Sequence, residues 1–185
     1  MSRVPYAEID PALVEHITTL GGRVLNLYRM LGNHPRMLEA WIDFAYTLRR
    51  ACTTSRVLRE LMILRTAQLA RSDYEWHQHR IMAREAGVPD QKVEELANWR
   101  ESKLFDAREQ AALQLTEAIV AGRVDDATYA RAAKEFSPSE MIELILTASF
   151  YCMVPRILDA TALTTEGEEE GDVQYRLPPL NRALI

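Results

Sequence analysis

The 185-residue chain is predicted to be all-α: a compact multi-helix domain of about eight helices with an extended C-terminal tail. Three observations predict it. Apolar residues recur at spacings of three and four almost throughout, which is the period of a helix face. Only seven glycines occur, and no Asn-Gly or Asp-Gly pair marks a hairpin. Prolines, serines and aspartates stand where helices begin.

Taken in order, Pro11 opens a first helix that runs to about Leu31, and "GNHP" is a loop. Pro35 sits in the first turn of a second helix, which runs to about Arg50. "TTS" at 53–55 caps a third helix, Arg56 to Arg71. It carries Val57, Leu61 and Leu64 and also Leu58, Met62 and Leu69, apolar on so broad a stripe that it belongs at the centre of the fold. The fourth, Ser72 to Gly87, ends at a glycine with Pro89 beyond it. A fifth covers about Asp90 to Trp99, a sixth Ala107 to Ala121, a seventh Asp126 to Phe136, and a long eighth Pro138 to about Leu163. Capping boxes announce two of these, Asp106 with Glu109 and Ser137 with Glu140.

Residues 1–163 are therefore read as a single helical domain. The tail, 164–185, is rich in charge and proline, a composition that argues for disorder. Tyr175, Leu177, Leu180 and Ile185 offer it apolar anchors, and it is expected to pack on the same or a neighbouring subunit.

A net charge of −5 and a pI near 5.5, with arginines scattered along the chain, leave no basic footprint for nucleic acid. The N-terminus has no apolar targeting core. The most apolar stretch, Met141 to Pro155, is interrupted by Glu143 and is shorter than a membrane span. A cytoplasmic protein without a membrane partner is expected. The two cysteines, Cys52 and Cys152, are too far apart in sequence for a CxxC pair or zinc spacing, and each reads as a small buried hydrophobe.

The chemistry concentrates in "SDYEWHQHRIMAREAG". Trp76, His79, Ala83 and Ala86 share one helix face, so His79 is expected to look inward, while His77 shares the outer face with Asp73, Arg80 and Arg84. Glu75 stands one turn before His79, within reach of the imidazole. Ser72 with Glu75 also spells a capping box, which would turn the carboxylate back onto the Ser72 amide. On the preceding helix Glu60 is surrounded by Val57, Ile63, Leu64 and Ala67. Burying it unpaired would cost several kcal/mol or drive it to protonate, so it is expected to snorkel, to pair with Arg56 one turn back, or to serve the His79 imidazole as a relay or by fixing its tautomer.

The pattern "RELMILRTAQLARSDYEWHQHRIMAREAGVP" resembles the signature of the carboxymuconolactone decarboxylase and alkylhydroperoxidase D superfamily. The resemblance is strongest over 59–89 and extends from "HP" at 34 to "ILDATAL" at 163. It implies an all-helical fold and a trimeric or hexameric homo-oligomer. In the peroxidase branch a glutamate is followed after 12 positions by C-x-x-C and, four residues past the second cysteine, by histidine. Counting from Glu60, those positions hold Ser72, Glu75 and His79. The glutamate and histidine keep register while both thiols are absent, so thiol attack on a peroxide has no nucleophile in the motif.

The decarboxylase-like branch is the better match. It implies proton transfer on a small organic acid or lactone, as in aromatic-compound catabolism, with Glu60, Glu75 and His79 as catalytic residues and no cofactor. Trp76, Arg65 and Ser72 are the candidates for binding substrate, with Arg80 and Arg156 as further cations and Trp41, Phe44 and Tyr151 as possible pocket walls. Two alternatives stand beside it. A metal site would draw on Glu60, Glu75, His77 and His79, but the chain has E-x-x-x-H only once and His77 points away from His79. A non-catalytic oligomeric binder would use the polar trio merely to fix helix packing.

Overall fold

Local chemistry decides where most helices start and stop. The computed structural model describes residues 2–163, and these are helical with no strand among them. The tail's expected anchors lie outside the described residues. The helices are α1 (Pro11–Thr19), α2 (Asn26–Leu31), α3 (Pro35–Arg50), α4 (Arg56–Ala70), α5 (Asp73–Ala86), α6 (Asp90–Glu95), α7 (Ala107–Val120), α8 (Asp126–Glu135) and α9 (Pro138–Thr161).

Ser55 caps α4 by accepting from the Leu58 amide at 3.1 Å, and the Asp106–Glu109 and Ser137–Glu140 boxes both close reciprocally. Gly87 ends α5 with φ +92°, the left-handed geometry that glycine adopts without steric cost.

Two expectations need correction. The helix read from Pro11 to Leu31 is two helices. The chain turns at Gly21, with φ +67°, and at Gly22 a Cβ would fall 1.6 Å from the Tyr46 hydroxyl oxygen. The ring of α3 therefore occupies the space that any other residue would need at position 22. The fifth helix keeps α geometry only to Glu95 and tightens into a 3₁₀ turn over Leu96–Asn98.

Packing gathers the chain into two compact units, one formed by the chain up to Ala51 with the segment from Arg156, the other by Cys52–Pro155. In the first, Ile17, Tyr28, Leu38 and Ile42 are almost wholly buried. The N-terminal segment finishes α9 there: the Arg3 amide donates to the Thr161 carbonyl at 2.7 Å, and the Arg3 guanidinium donates to the Ala160 carbonyl at 3.1 Å. Carbonyls that a helix end leaves without an amide are thereby satisfied.

The second unit is organised around α4, whose residues from Leu58 to Gln68 are all buried. Its two apolar stripes feed separate clusters. Leu61, Leu64 and Ala67 pack with Trp76 and Ala83 of α5 and with Val88, Val93, Leu96, Trp99, Phe105 and Leu113. Leu58 and Met62 pack with Ala111, Ala112 and Leu115 of α7, Ala132 of α8, and Met141, Leu144 and Ala148 of α9. Each buried leucine contributes about 1.5–3 kcal/mol relative to exposure.

The apolar run in α9 is longer than the sequence reading allowed, since the whole 24-residue helix is long and apolar enough to cross a membrane by length and composition. Its inward residues belong to the second unit's core. The charge inside that run, Glu143, is bound by four donors: the amides and hydroxyls of Thr53 and Thr54, all at 2.8–2.9 Å.

Candidate active site

α4 and α5 lie side by side in the second unit and bring Glu60, Glu75 and His79 together. His79 Nδ1 is 2.8 Å from Glu60 Oε2, and His79 Nε2 is 3.5 Å from Glu75 Oε2. The three side chains are buried, with 0% of Glu60, 3% of His79 and 6% of Glu75 exposed. Arg56, one turn before Glu60, pairs through Nη2 with the other Glu60 oxygen. Glu60 thus meets both partners considered for it, the arginine behind it on α4 and the imidazole across on α5. A carboxylate held between a guanidinium and an N–H is favoured in its charged form by both neighbours.

The first of these contacts assigns the imidazole. With Glu60 accepting at Nδ1, the neutral ring carries its proton there and turns the lone pair of Nε2 toward Glu75. At 3.5 Å that second contact is too long for a good hydrogen bond, so Nε2 is oriented without being locked. Tyr151 of α9 sets the ring's plane, with its centroid 4.7 Å from that of His79 and the two planes at 86°.

Ser72 caps α5 by accepting from the Glu75 amide at 3.3 Å, but the carboxylate of Glu75 looks to His79. The amide that a closed capping box would have used is satisfied elsewhere: Ser72 N donates to the Ala67 carbonyl at 3.0 Å.

The other named residues are placed differently. Trp76 is 3% exposed and belongs to the apolar cluster between α4 and α5, with the Arg80 guanidinium 5.9 Å from its ring. Arg65 is buried and engaged: Nε and Nη2 reach Glu117 Oε1 at 2.8 and 2.7 Å, and Nη1 reaches Gln68 at 2.9 Å. This leaves its guanidinium little for a substrate. Arg156 is exposed, and Trp41 and Phe44 lie on α3 in the first unit. His77 lies on the outer face of α5 beside Arg80, Ile81 and Arg84, where they line a shallow groove. Among the described residues, no three His, Cys, Asp or Glu side chains are disposed to hold a metal ion.

Burial pushes the Cys52 thiol above its ordinary value; Arg59 and Arg56 pull it down and Glu143 raises it again. Burial likewise lowers Arg59. That guanidinium binds Thr54 through its carbonyl and, at 3.1 Å, its hydroxyl. The sequence reading passed over a face of α9 that carries Glu143, Thr147 and Tyr151 at successive turns; polar atoms spaced by four in the most apolar helix were the available signal.

A family model described as the carboxymuconolactone decarboxylase family matches residues 35–118, the stretch that contains the whole trio. An uncharacterized peroxidase-related protein from Silicibacter sp. TM1040 has a similar fold, with TM-score 0.77 and 19% identity over 92% of this chain and 95% of that one. The matched segment contains the 59–89 stretch that carries the sequence resemblance, and the structural likeness extends the similarity to the fold. Uncharacterized protein YdfG of Bacillus subtilis (strain 168) is 30% identical to this chain over 95 residues, which is 50% of this chain and 65% of that relative's length. A variant of the debrominase Bmp8 in complex with 2,3,4-tribromopyrrole matches with TM-score 0.74 and 17% identity over 88% of this chain and 87% of that one.

Proposed function

We propose that this protein is an acid–base enzyme of the carboxymuconolactone decarboxylase-like kind, acting on a small organic acid or lactone. The observation that carries the reading is the asymmetry at His79: one nitrogen clamped to Glu60 at 2.8 Å, the other held 3.5 Å from a second buried carboxylate. In this reading Nε2 takes a proton from the carbon beside a carbonyl, or the imidazolium returns one to the carbanion left by carbon dioxide. Glu60 fixes the tautomer and stabilises the imidazolium. Glu75 exchanges the proton with Nε2, so the ring is reset between turnovers. Burial strengthens each of these interactions by excluding water.

Decarboxylation, isomerisation and lactone hydrolysis all fit such a proton shuttle. That a debrominase holds a tribrominated pyrrole on the same fold supports a compact, ring-bearing substrate. A thiol peroxidase is the weaker reading, because Ser72 and Glu75 occupy the positions of the paired cysteines and burial raises the Cys52 thiol. Assembly as a trimer or hexamer is part of the proposal and is read by sedimentation.

The direct test is solvent deuterium exchange into lactone acids and oxo acids, followed by NMR. The wild-type protein is expected to exchange the proton beside the carbonyl, and His79→Gln to slow this by about 10²–10⁴. Undiminished exchange in His79→Gln would leave the histidine without its role. Peroxide reduction that disappears in a Cys52→Ser, Cys152→Ser protein would favour the thiol reading instead.

A further inference from the structure

An imidazole turns about the bond to its Cβ with little resistance, because a torsion between sp³ and sp² carbons has no sharp wells. Glu60 holds the His79 ring at one atom, Nδ1, at 2.8 Å. A ring held at one atom can still rock about that contact. Rocking displaces Nε2, the atom that an acid–base role needs in a fixed place, and Glu75 at 3.5 Å is too far away to stop it. A second restraint on the plane is required.

Tyr151 supplies it. Its centroid lies 4.7 Å from that of His79 with the planes at 86°, close to the near end of the range, about 4.5–7 Å, over which perpendicular rings attract. The tyrosine is itself held. Phe150 stands against it at 5.3 Å and 82°, and both rings are buried. About two turns earlier on α9, Glu143 takes four donors from Thr53 and Thr54, which lead into the Ser55 cap of α4. The register of α9 is thereby keyed to the helix that carries Glu60. Carboxylate and tyrosine reach the imidazole from two helices that are fixed to each other.

We propose that Tyr151 is the positioning residue of the base: its ring fixes the imidazole plane, and with it the direction of the Nε2 lone pair, while Glu60 keeps the proton on Nδ1. The sequence offered Tyr151 as a wall of a substrate pocket; the geometry turns it to the histidine instead. The role belongs to the ring and not to the hydroxyl. Tyr151 moves no proton and acts only through His79, so that the base is aimed before substrate arrives. This rests on the acid–base reading above and deepens it.

The experiment uses the full-length protein with ¹⁵N-labelled histidine and two readouts. One is deuterium exchange into the lactone acids and oxo acids; the other is the pair of ring-nitrogen signals of His79, assigned by their absence from His79→Gln. In Tyr151→Leu, exchange at saturating substrate is expected to fall about 10–100-fold with the half-saturating concentration unchanged, the mark of a misaimed catalytic group. The two nitrogen signals, separate in the wild type, are expected to draw together as the tautomers mix. Tyr151→Phe keeps the ring and restores both readouts. Leu144→Ala, a loss of packing elsewhere on α9, leaves both as in the wild type. Should Tyr151→Leu not fold, Tyr151→Met fills the same space with a flexible chain and is read in the same way. Nitrogen signals in Tyr151→Leu that match the wild type, undiminished exchange in it, a Tyr151→Phe protein equally impaired, or equal losses in Leu144→Ala would each overturn the positioning role. Failure of the base reading shows separately, as exchange that survives His79→Gln or is absent from the wild type, and the nitrogen signals then test the tyrosine by themselves.

Discussion

Two of the buried charged centres on helix α4, those of Arg65 and Glu60, have been treated oppositely by the fold. At its C-terminal end Arg65 shares Glu117 with the Trp99 indole, at 2.8 Å, and with Arg100, while Gln68 takes the remaining guanidinium edge. Near its N-terminal end Glu60 is held by Arg56 and His79, but the outer nitrogen of His79 is only loosely met by Glu75. Both centres are nearly dry. What separates the two is saturation: Glu117 is surrounded by donors at bonding distance, whereas His79 Nε2 stands 3.5 Å from Glu75, the looser contact that the proposed acid–base role requires.

The contrast can be broken at either end. The largest expected effect is on turnover: His79→Gln keeps a donor for Glu60 but loses the titratable nitrogen. Once a substrate is in hand its rate should fall by about 10²–10⁴ with stability little changed. Steady-state kinetics beside a denaturation curve checks both halves. Next comes Arg65→Met, which strands Glu117 against Trp99 and should cost about 3–5 kcal/mol in chemical denaturation, leaving the proton chemistry of the surviving folded protein intact. If Arg65→Met instead abolished activity at full stability, the two centres would have exchanged roles.

A subtler effect concerns Glu143. Burial pushes its carboxyl up, but the amides and hydroxyls of Thr53 and Thr54 outweigh burial and hold it below the ordinary 4.5. A depressed carboxyl stabilises the fold in full above its unfolded value and loses that contribution as acid protonates it in the folded state. Wild type and Glu143→Gln should therefore differ in stability at pH 6–7 and converge as the pH falls below about 4.5, as read from melting curves across that range. The smallest effect belongs to the exposed pair Arg84–Asp90, 3.2 Å apart with side chains 70% and 63% exposed. Arg84→Ala should shift stability by about 0.5 kcal/mol or less, vanishing in high salt. A larger shift would show that exposure is a poor guide to what an ion pair contributes in this protein.

Much of this was legible in the residues alone. Pro35, Ser55, Asp106, Ser137 and Gly87 mark helix ends because capping is a local transaction between a side chain and amides two or three positions away. The spacing from Glu60 to His79 was legible for the same kind of reason, being a matter of register along two consecutive helices. The break between α1 and α2 was not, since Gly22 is required by the Tyr46 ring, which is more than twenty residues away in the chain. Nor was the engagement of Arg65, whose partner Glu117 lies 52 positions on. Tyr151 reads from sequence as one wall of a pocket, and only its perpendicular approach to the His79 ring distinguishes it.

Covalent order thus settled where the helices lie, which way their apolar stripes face, and that a glutamate and a histidine would stand nineteen positions apart on adjoining helices. Packing settled which charged groups are quenched and which are left poised. Periodicity constrains a side chain's direction about its own axis, whereas hydrogen-bond saturation depends on what a neighbouring helix brings to within about 3 Å, and α7 and α9 supply that only once the chain has closed around α4.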